Sequence, residues 1–538
     1  MYKRQLQKVR NPINWIGALF SALLLTLSFP KWNLWILGFF ALVPTFFSLI
    51  SIKDIKNVIA FSFIFGVFHF STLLYWLVYT LTKYGHLPLI VSFFLLLLLS
   101  SYLALYYVIL FYTNFKLKIF EYPNFLKALF WGLSFTGTEY LRGKLLTGFT
   151  WGQLGYLLSN FSPLLQSADL WGIWGLSFIV ALINYYIFFL LYFFFISPKP
   201  LKNHKFLITN LSFLFFFGAL FCYGIYKKNL WKNLLSEKKE IIKVSLLQGN
   251  IPQEMKEVSE IDYSFKIYSK MSFLALKERP DIIFLPETSF PFFFPYEKEP
   301  TLKLLAFLDK FEELSKNFNH LPILVFGTFR LKYKDEKPMV YNSLIVWDGK
   351  DFVDLYDKEK LVPFGEYIPL EKYLYFLKRI TVGLGIIKPG ISKNLVIPLK
   401  DKIIKITPLI CFESAFSEIL RKRLKENPQL IFIATNDAWF DRTSAPYQHF
   451  QMAIVRAVEA RKYTIQVANT GITGIIDPMG EIVKQSHLEK EEIVYGEIKP
   501  FYEKTFFVKY GNVLGILGSM ILIFSLILNL VFARFLNF

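Results

Sequence analysis

Runs of apolar residues long enough to cross a bilayer limit what this chain can fold into more than any other feature. They cover about 13–29, 34–51, 58–82, 87–112, 125–142, 172–196 and 206–226, and an isolated one lies at about 512–533. A helix needs roughly 20 mainly apolar residues to span the hydrocarbon core. Eight such runs therefore predict a multi-pass α-helical membrane domain of about eight spans. The composition agrees: of 538 residues, 54% are hydrophobic and 19% aromatic, and the mean hydropathy is +0.40, too apolar for a soluble chain. Between the seventh and eighth runs lies a long polar insert. The spacing thus predicts a membrane domain over 1–226, a folded insert over 227–505 and a last span within 506–538.

The first run follows Lys3, Arg4, Lys8 and Arg10, as a signal peptide would, but Pro30-Lys31-Trp32 is no small-residue cleavage site. It reads as an uncleaved span. Basic residues set the orientation. One set of loops carries those four, Lys53 and Lys56, Lys116, Lys118 and Lys127, then Lys199, Lys202 and Lys205, with Arg534 after the last span. The opposite short loops carry only Lys31, Lys83, Arg142 and Lys144. The positive-inside rule then predicts cytoplasmic termini and an insert on the outer side, the periplasm for a bacterial inner membrane. The formal charge of +19 is explained by these loops and by anionic lipid. Nucleic-acid binding is excluded, since no basic stripe with interleaved stacking aromatics occurs. No cluster has metal-ligand spacing and no cofactor motif is present, so neither metal nor cofactor is expected. Two cysteines, Cys222 and Cys411, build no disulfide framework.

The loop from Glu139 to Gly172 is rich in Gly, Trp and Ser and poor in charge. It fits a segment dipping into the membrane as well as it fits an ordinary loop. Glu139 and Arg142, three apart, are expected to pair at a helix end.

The insert alternates strand-like runs (243–247, 281–285, 323–326, 343–347, 403–410, 430–434 and 464–468) with helical patterns near 259–278, 299–318, 414–426 and 447–462. Asp348-Gly349 and Met479-Gly480 mark hairpins. This predicts a layered α/β sandwich with reactive residues at strand ends. Three strands end so: 281–286 delivers Glu287, 355–357 delivers Lys358, and 406–410 delivers Cys411. A thiol at a strand-to-helix turn is presented as a nucleophile is, although most free cysteines are simply buried. A carboxylate takes its proton, and an ammonium steadies the oxyanion formed when an acyl carbonyl is attacked. Taken together the three suit acyl transfer through a thioester; taken singly, Glu287 also fits a turn and Lys358 a surface lysine.

Leu285-Pro286-Glu287-Thr288, Lys358 followed by Leu361-Val362-Pro363-Phe364-Gly365-Glu366-Tyr367-Ile368-Pro369-Leu370, and Ile410-Cys411-Phe412-Glu413 resemble the Glu-Lys-Cys motifs of the nitrilase superfamily. The wider text resembles its membrane-embedded apolipoprotein N-acyltransferase family. Gln248-Gly249-Asn250-Ile251-Pro252-Gln253, Tyr341-Asn342-Ser343, Thr435-Asn436-Asp437-Ala438-Trp439-Phe440, Gln448-His449-Phe450-Gln451-Met452-Ala453 and Asn469-Thr470-Gly471 carry that likeness in the insert. In the apolar part it is carried by Glu139-Tyr140-Leu141-Arg142-Gly143, Thr147-Gly148-Phe149-Thr150-Trp151 and Gly175-Leu176-Ser177-Phe178. The resemblance implies a nitrilase-like αββα sandwich, with Glu287 as general base, Lys358 as oxyanion stabiliser and Cys411 as nucleophile. It makes Glu366 and Glu413 supporting carboxylates. Phe412 stands where the family often has a tyrosine, and Glu257 lies near the place of a tryptophan that some members carry.

The resemblance further implies a donor, a phospholipid and typically phosphatidylethanolamine, and an acceptor, the α-amine of diacylglyceryl-cysteine in an apolipoprotein. A monomer suffices for that reaction. Asn342 is expected near substrate, and Phe292 and Phe293 fit either an acyl pocket or core packing. The rival readings are a membrane-tethered amidase or nitrile hydrolase using the same three residues, and a scaffold that only binds partners.

Overall fold

The computed structural model describes residues 15–196, 204–256, 261–369, 387–399 and 402–535. Lys3, Arg4, Lys8, Arg10, Lys199, Lys202, Glu257 and Leu370 lie outside them. The chain divides into two compact units, one of residues 1–79, 88–228 and 510–538, the other of residues 80–87 and 229–509.

The first unit is helical. In chain order it uses α1 (Trp15–Ser28), α2 (Val43–Ser51), α3 (Ile55–Leu73), α4 (Trp76–Lys83), α5 (Leu89–Lys116), α6 (Phe125–Arg142), α7 (Ala168–Ile196) and α8 (His204–Glu237), then a C-terminal helix Val513–Phe535. Among the described residues four helices, α3, α5, α7 and α8, are long and apolar enough to cross a membrane, and three shorter apolar helices accompany them. Two expected runs are broken. The run over 34–51 opens as a 3-10 turn, Trp35–Phe39, before α2. The run over 58–82 splits into α3 and α4. Gly172, with φ of 62° and ψ of −161°, kinks α7 near its start, a conformation open to glycine. Asn124 caps α6 by accepting the Lys127 N–H at 3.0 Å.

Small residues let these helices approach. A Cβ on Gly66 would stand 2.6 Å from Ala104 Cβ, and one on Gly137 only 2.1 Å from the Gly518 carbonyl carbon. Close backbone contact of this kind replaces the hydrophobic effect where the surroundings are apolar. The Gly- and Trp-rich loop packs inward: residues 150–158 are all buried. Glu139 Oε1 accepts the Leu154 N–H at 2.7 Å, with Arg142 Nη2 3.8 Å away.

The second unit is a four-layer sandwich. Its elements are β1 (Ile242–Gln248), α9 (Ile261–Ala275), β2 (Ile282–Phe284), β3 (Phe290–Phe294), α10 (Lys298–Ser315), β4 (Ile323–Lys334), β5 (Lys337–Trp347), β6 (Phe352–Asp357), β7 (Leu395–Leu399), β8 (Lys402–Ile410), α11 (Ser417–Leu424), β9 (Leu430–Thr435), α12 (Ala445–Ala460), β10 (Thr464–Ala468), β11 (Gly474–Ile476), β12 (Ile482–Gln485) and β13 (Glu492–Ile498). One sheet runs β13-β1-β2-β4-β5-β6, with β3 against β4; the other runs β12-β11-β10-β9-β8-β7. The hairpins expected at Asp348-Gly349 and Met479-Gly480 join β5 to β6 and β11 to β12, both antiparallel.

Alternation along the strands builds the layers. Val244, Leu246, Ile282 and Phe284 of one sheet meet Phe432, Ala434 and Ile465 of the other in the central core. Leu247 and Ile283 face the opposite way, under Phe265 of α9 and Phe307 of α10. Ile431 and Ile433 likewise pack under Leu420 of α11 and Ala453 of α12. Residues 80–87 belong to this unit: Thr80 Oγ1 donates to the Trp439 carbonyl at 2.9 Å, and the Tyr84 ring meets Trp439 edge-on.

Candidate active site

Glu287, Lys358 and Cys411 all follow strand ends, in β2, β6 and β8. The chain after β2 turns sharply through Thr288, whose φ is 48°. Gly327 gives it room, since a Cβ there would lie 2.4 Å from the Thr288 nitrogen. Both carboxylate oxygens of Glu287 are engaged. Oε1 accepts from Asn342 Nδ2 at 2.7 Å and from Lys358 Nζ at 3.2 Å, and Oε2 accepts the Asn436 backbone N–H at 2.9 Å.

Lys358 is 1% exposed and bridges two carboxylates, Glu287 Oε1 and, at 2.9 Å, Glu366 Oε1. Burial alone would favour the neutral amine. The two carboxylates outweigh it and hold the ammonium well above its ordinary range. Glu366 is itself fixed, its Oε2 accepting the Val362 N–H at 2.8 Å.

Cys411 sits in a left-handed backbone conformation, φ 50°, between β8 and a 3-10 turn (Cys411–Ala415). Burial, and then the Glu287 carboxylate, push its thiol well above the usual range, against the pull of Lys358. These surroundings favour the thiol over the thiolate at Cys411.

Glu413 is fully buried, and among the described residues its bonds go elsewhere than to the side chains of Glu287, Lys358 and Cys411. Its Oε1 accepts from Tyr356 Oη at 2.6 Å and from the backbone N–H groups of Glu359 at 2.8 Å and Lys360 at 3.0 Å, while Oε2 accepts the Ile410 N–H at 2.8 Å. It therefore ties the chain just after Lys358 to the residue just before Cys411. Arg423, over the Tyr356 ring, closes this cluster through Glu359 at 3.0 Å.

Asn342, expected near substrate, spends its amide N–H groups on Glu287 and Glu366. Phe292, which fitted either an acyl pocket or core packing, is fully buried with its ring 6.0 Å from Phe265 and edge-on to Phe294, in the core under α9 and α10. Phe293, next along β3, points the other way, half-buried against Phe329. Alternation within the aromatic run separates the two. Phe412 is half-buried, edge-on to Phe416 at 5.0 Å. Among the described residues no group of acidic, histidine or cysteine side chains has the arrangement of a metal site.

The family model described as the apolipoprotein N-acyltransferase N-terminal domain matches residues 21–186, and the carbon-nitrogen hydrolase model matches residues 243–504. An apolipoprotein N-acyltransferase of Geobacter metallireducens is 33% identical over 507 residues, covering 93% of this chain and 92% of that protein. The chain belongs to the apolipoprotein N-acyltransferase family. Other apolipoprotein N-acyltransferases fit the same way: that of Pasteurella multocida is 30% identical, covering 94% of each chain, and that of Haemophilus influenzae 31%, covering 92% of this chain and 91% of the other. Membership explains why a carbon-nitrogen hydrolase sandwich shares a chain with apolar helices. Sequence reasoning had not given a role to the Asn436 N–H on Glu287, to the contacts of Glu413, or to His449, although each lies in a motif shared with the family.

Proposed function

We propose that this protein is a membrane N-acyltransferase that moves an acyl chain from a phospholipid to the N-terminal amine of diacylglyceryl-cysteine in apolipoproteins. The observation that carries this reading is the family likeness running through both the apolar helices and the sandwich, whereas amidases need only the sandwich. In the first half-reaction Glu287 takes the Cys411 proton as Sγ attacks the ester carbonyl. Two of the three protons on Lys358 Nζ serve Glu287 and Glu366, which leaves one for the oxyanion. Collapse breaks the ester bond, Glu287 returns the proton to the departing glycerol oxygen, and lysophospholipid leaves. In the second half the acceptor amine attacks the thioester, Glu287 takes its proton, and the thiol is restored.

This reading places about eight spans in the bacterial inner membrane, with the apolar part over 1–226, a periplasmic catalytic domain over 227–505, a last span within 506–538, and both termini cytoplasmic. Phosphatidylethanolamine is the expected donor, and a monomer suffices.

The test is mass spectrometry of the purified protein with phosphatidylethanolamine and no acceptor. A one-acyl adduct, labile to hydroxylamine and absent from Cys411→Ala, supports the reading. Folded protein that gives neither adduct nor lysophospholipid would remove phospholipid as donor.

A further inference from the structure

Cys411 is a non-glycine residue in the left-handed region, a strained conformation that persists only where the surroundings impose it. Behind it lies a fully buried polar cluster. The Cys411 carbonyl oxygen accepts from Ser414 Oγ at 2.9 Å and lies 3.1 Å from His449 Nε2. His449 Nε2 is also 2.7 Å from Ser414 Oγ, and Nδ1 is 3.0 Å from Asp437 Oδ1. Asp437 Oδ1 accepts a further bond from Thr435 Oγ1 at 2.8 Å.

The proton count follows from the partners. A carboxylate only accepts, so Nδ1 carries a hydrogen. At Nε2 the contact with Ser414 Oγ is open to either direction, whereas the Cys411 carbonyl only accepts; with the serine proton on that carbonyl, Nε2 is the donor to both oxygens and His449 is an imidazolium ion-paired to Asp437. Burial alone would favour the neutral ring, but the Asp437 carboxylate and its hydrogen bond raise the imidazole above its ordinary range, with Glu287 adding to the effect. Gly471 belongs to the same arrangement: a Cβ there would stand 2.3 Å from Asp437 Oδ2, so only glycine leaves the carboxylate in place.

We propose that His449, held as an imidazolium by Asp437, is a positioning residue for acyl transfer. It grips the Cys411 carbonyl, fixes the left-handed backbone that aims the thiol, and sets positive charge behind the nucleophile. This rests on Cys411 being the nucleophile but on no particular acyl donor. The charged groups acting on the ring are Asp437 and Glu287, and those acting on the Cys411 thiol are Glu287, Lys358 and Asp437.

The test follows alkylation of Cys411 by iodoacetamide against pH, with the full-length protein in detergent and the exposed Cys222 replaced by serine. His449→Gln keeps a donor and removes the charge. Its Cys411 profile should move up by about one pH unit, and acyl-enzyme formation should slow about 10- to 100-fold with the phospholipid KM unchanged. Ser414→Ala, which removes only the second donor, should slow it about threefold. A His449→Gln profile superimposed on the parent overturns the proposal. Should that variant fail to fold, Gly471→Ala must move the profile in the same direction. In the unsubstituted chain, a 13C-labelled His449 ring should still read as imidazolium at pH 8, and a neutral ring there also overturns it. Because alkylation needs no lipid, a failure here is distinct from a failure of the proposed reaction.

Discussion

In the helical unit Ile90 and Phe215 are more than four-fifths exposed, at 83% and 81%, while Ser62, Ser92 and Ser100 are fully buried. In the sandwich Phe284, Phe290 and Phe432 are fully buried, and so are charged groups such as Lys358, Glu413 and Asp437. The first pattern fits a surface that meets hydrocarbon, where apolar side chains gain nothing by turning inward and helices associate through small residues. The second is that of water-driven folding, with charge admitted only where partners satisfy it. The difference teaches where each unit is vulnerable: the helices at their close contacts, the sandwich at its buried ion network.

The largest effect expected from breaking this contrast is at Lys358. Lys358→Met should lower acyl transfer by about a thousandfold or more, because in the proposed mechanism the oxyanion loses its charged donor. It should also cost about 3 kcal/mol, since Glu287 and Glu366 lose their buried counter-ion. Lysophospholipid release and thermal unfolding in detergent check the two parts. Next is the helical unit. Gly518→Leu should destabilise it by about 2–3 kcal/mol by forcing apart the C-terminal helix and α6, whereas Phe215→Leu on the outer face should stay within about 0.5 kcal/mol. Equal losses for the two would erase the proposed difference in packing.

The smallest effect concerns a buried charge whose nitrogen, among the described residues, bonds backbone carbonyls. Lys462 is 2% exposed, its Nζ donating to the backbone carbonyls of Phe501 and, at 2.9 Å, Glu503. Burial pulls its pKa down to about 7. A depressed folded pKa means that the native state binds fewer protons than the unfolded one between about pH 7 and the ordinary lysine range. Its contribution to stability is therefore present above that range and lost as pH falls through 7. Stability should rise by up to about 2 kcal/mol from pH 7 to 9, and Lys462→Met should flatten that slope in thermal melts followed across pH.

Much of the site was legible in the chain. β9 and the second half of β8, residues 406–410, are buried on both faces and bounded by reactive or turn residues, so the place of Cys411 can be read directly. Glu287 follows a similarly buried run, Ile282–Phe284, whereas Lys358 follows β6, which is largely exposed or half-buried and is marked only by its strand end. The strands β3, β7, β11, β12 and β13 were missed; the first four have only three to five residues, too few for periodicity to register. Phe292 stayed ambiguous because an unbroken aromatic run fits a pocket and a core equally until alternation assigns its two faces. Glu413 was identified but its partners were not: Ile410 is three residues away, Arg423 ten residues on, and Tyr356, Glu359 and Lys360 more than fifty residues earlier.

By itself the sequence determined the class of the protein: apolar runs, a sandwich inserted between them, and a carboxylate, an amine and a thiol at three strand ends. These depend on local composition and on period, which a chain displays residue by residue. The tertiary structure decided which carboxylate touches Lys358, which only ties two loops together, and that Asp437, His449 and Ser414 converge on the carbonyl of Cys411. Those are long-range pairings between groups that many partners could satisfy, and only the packing of two sheets and their helices selects among them.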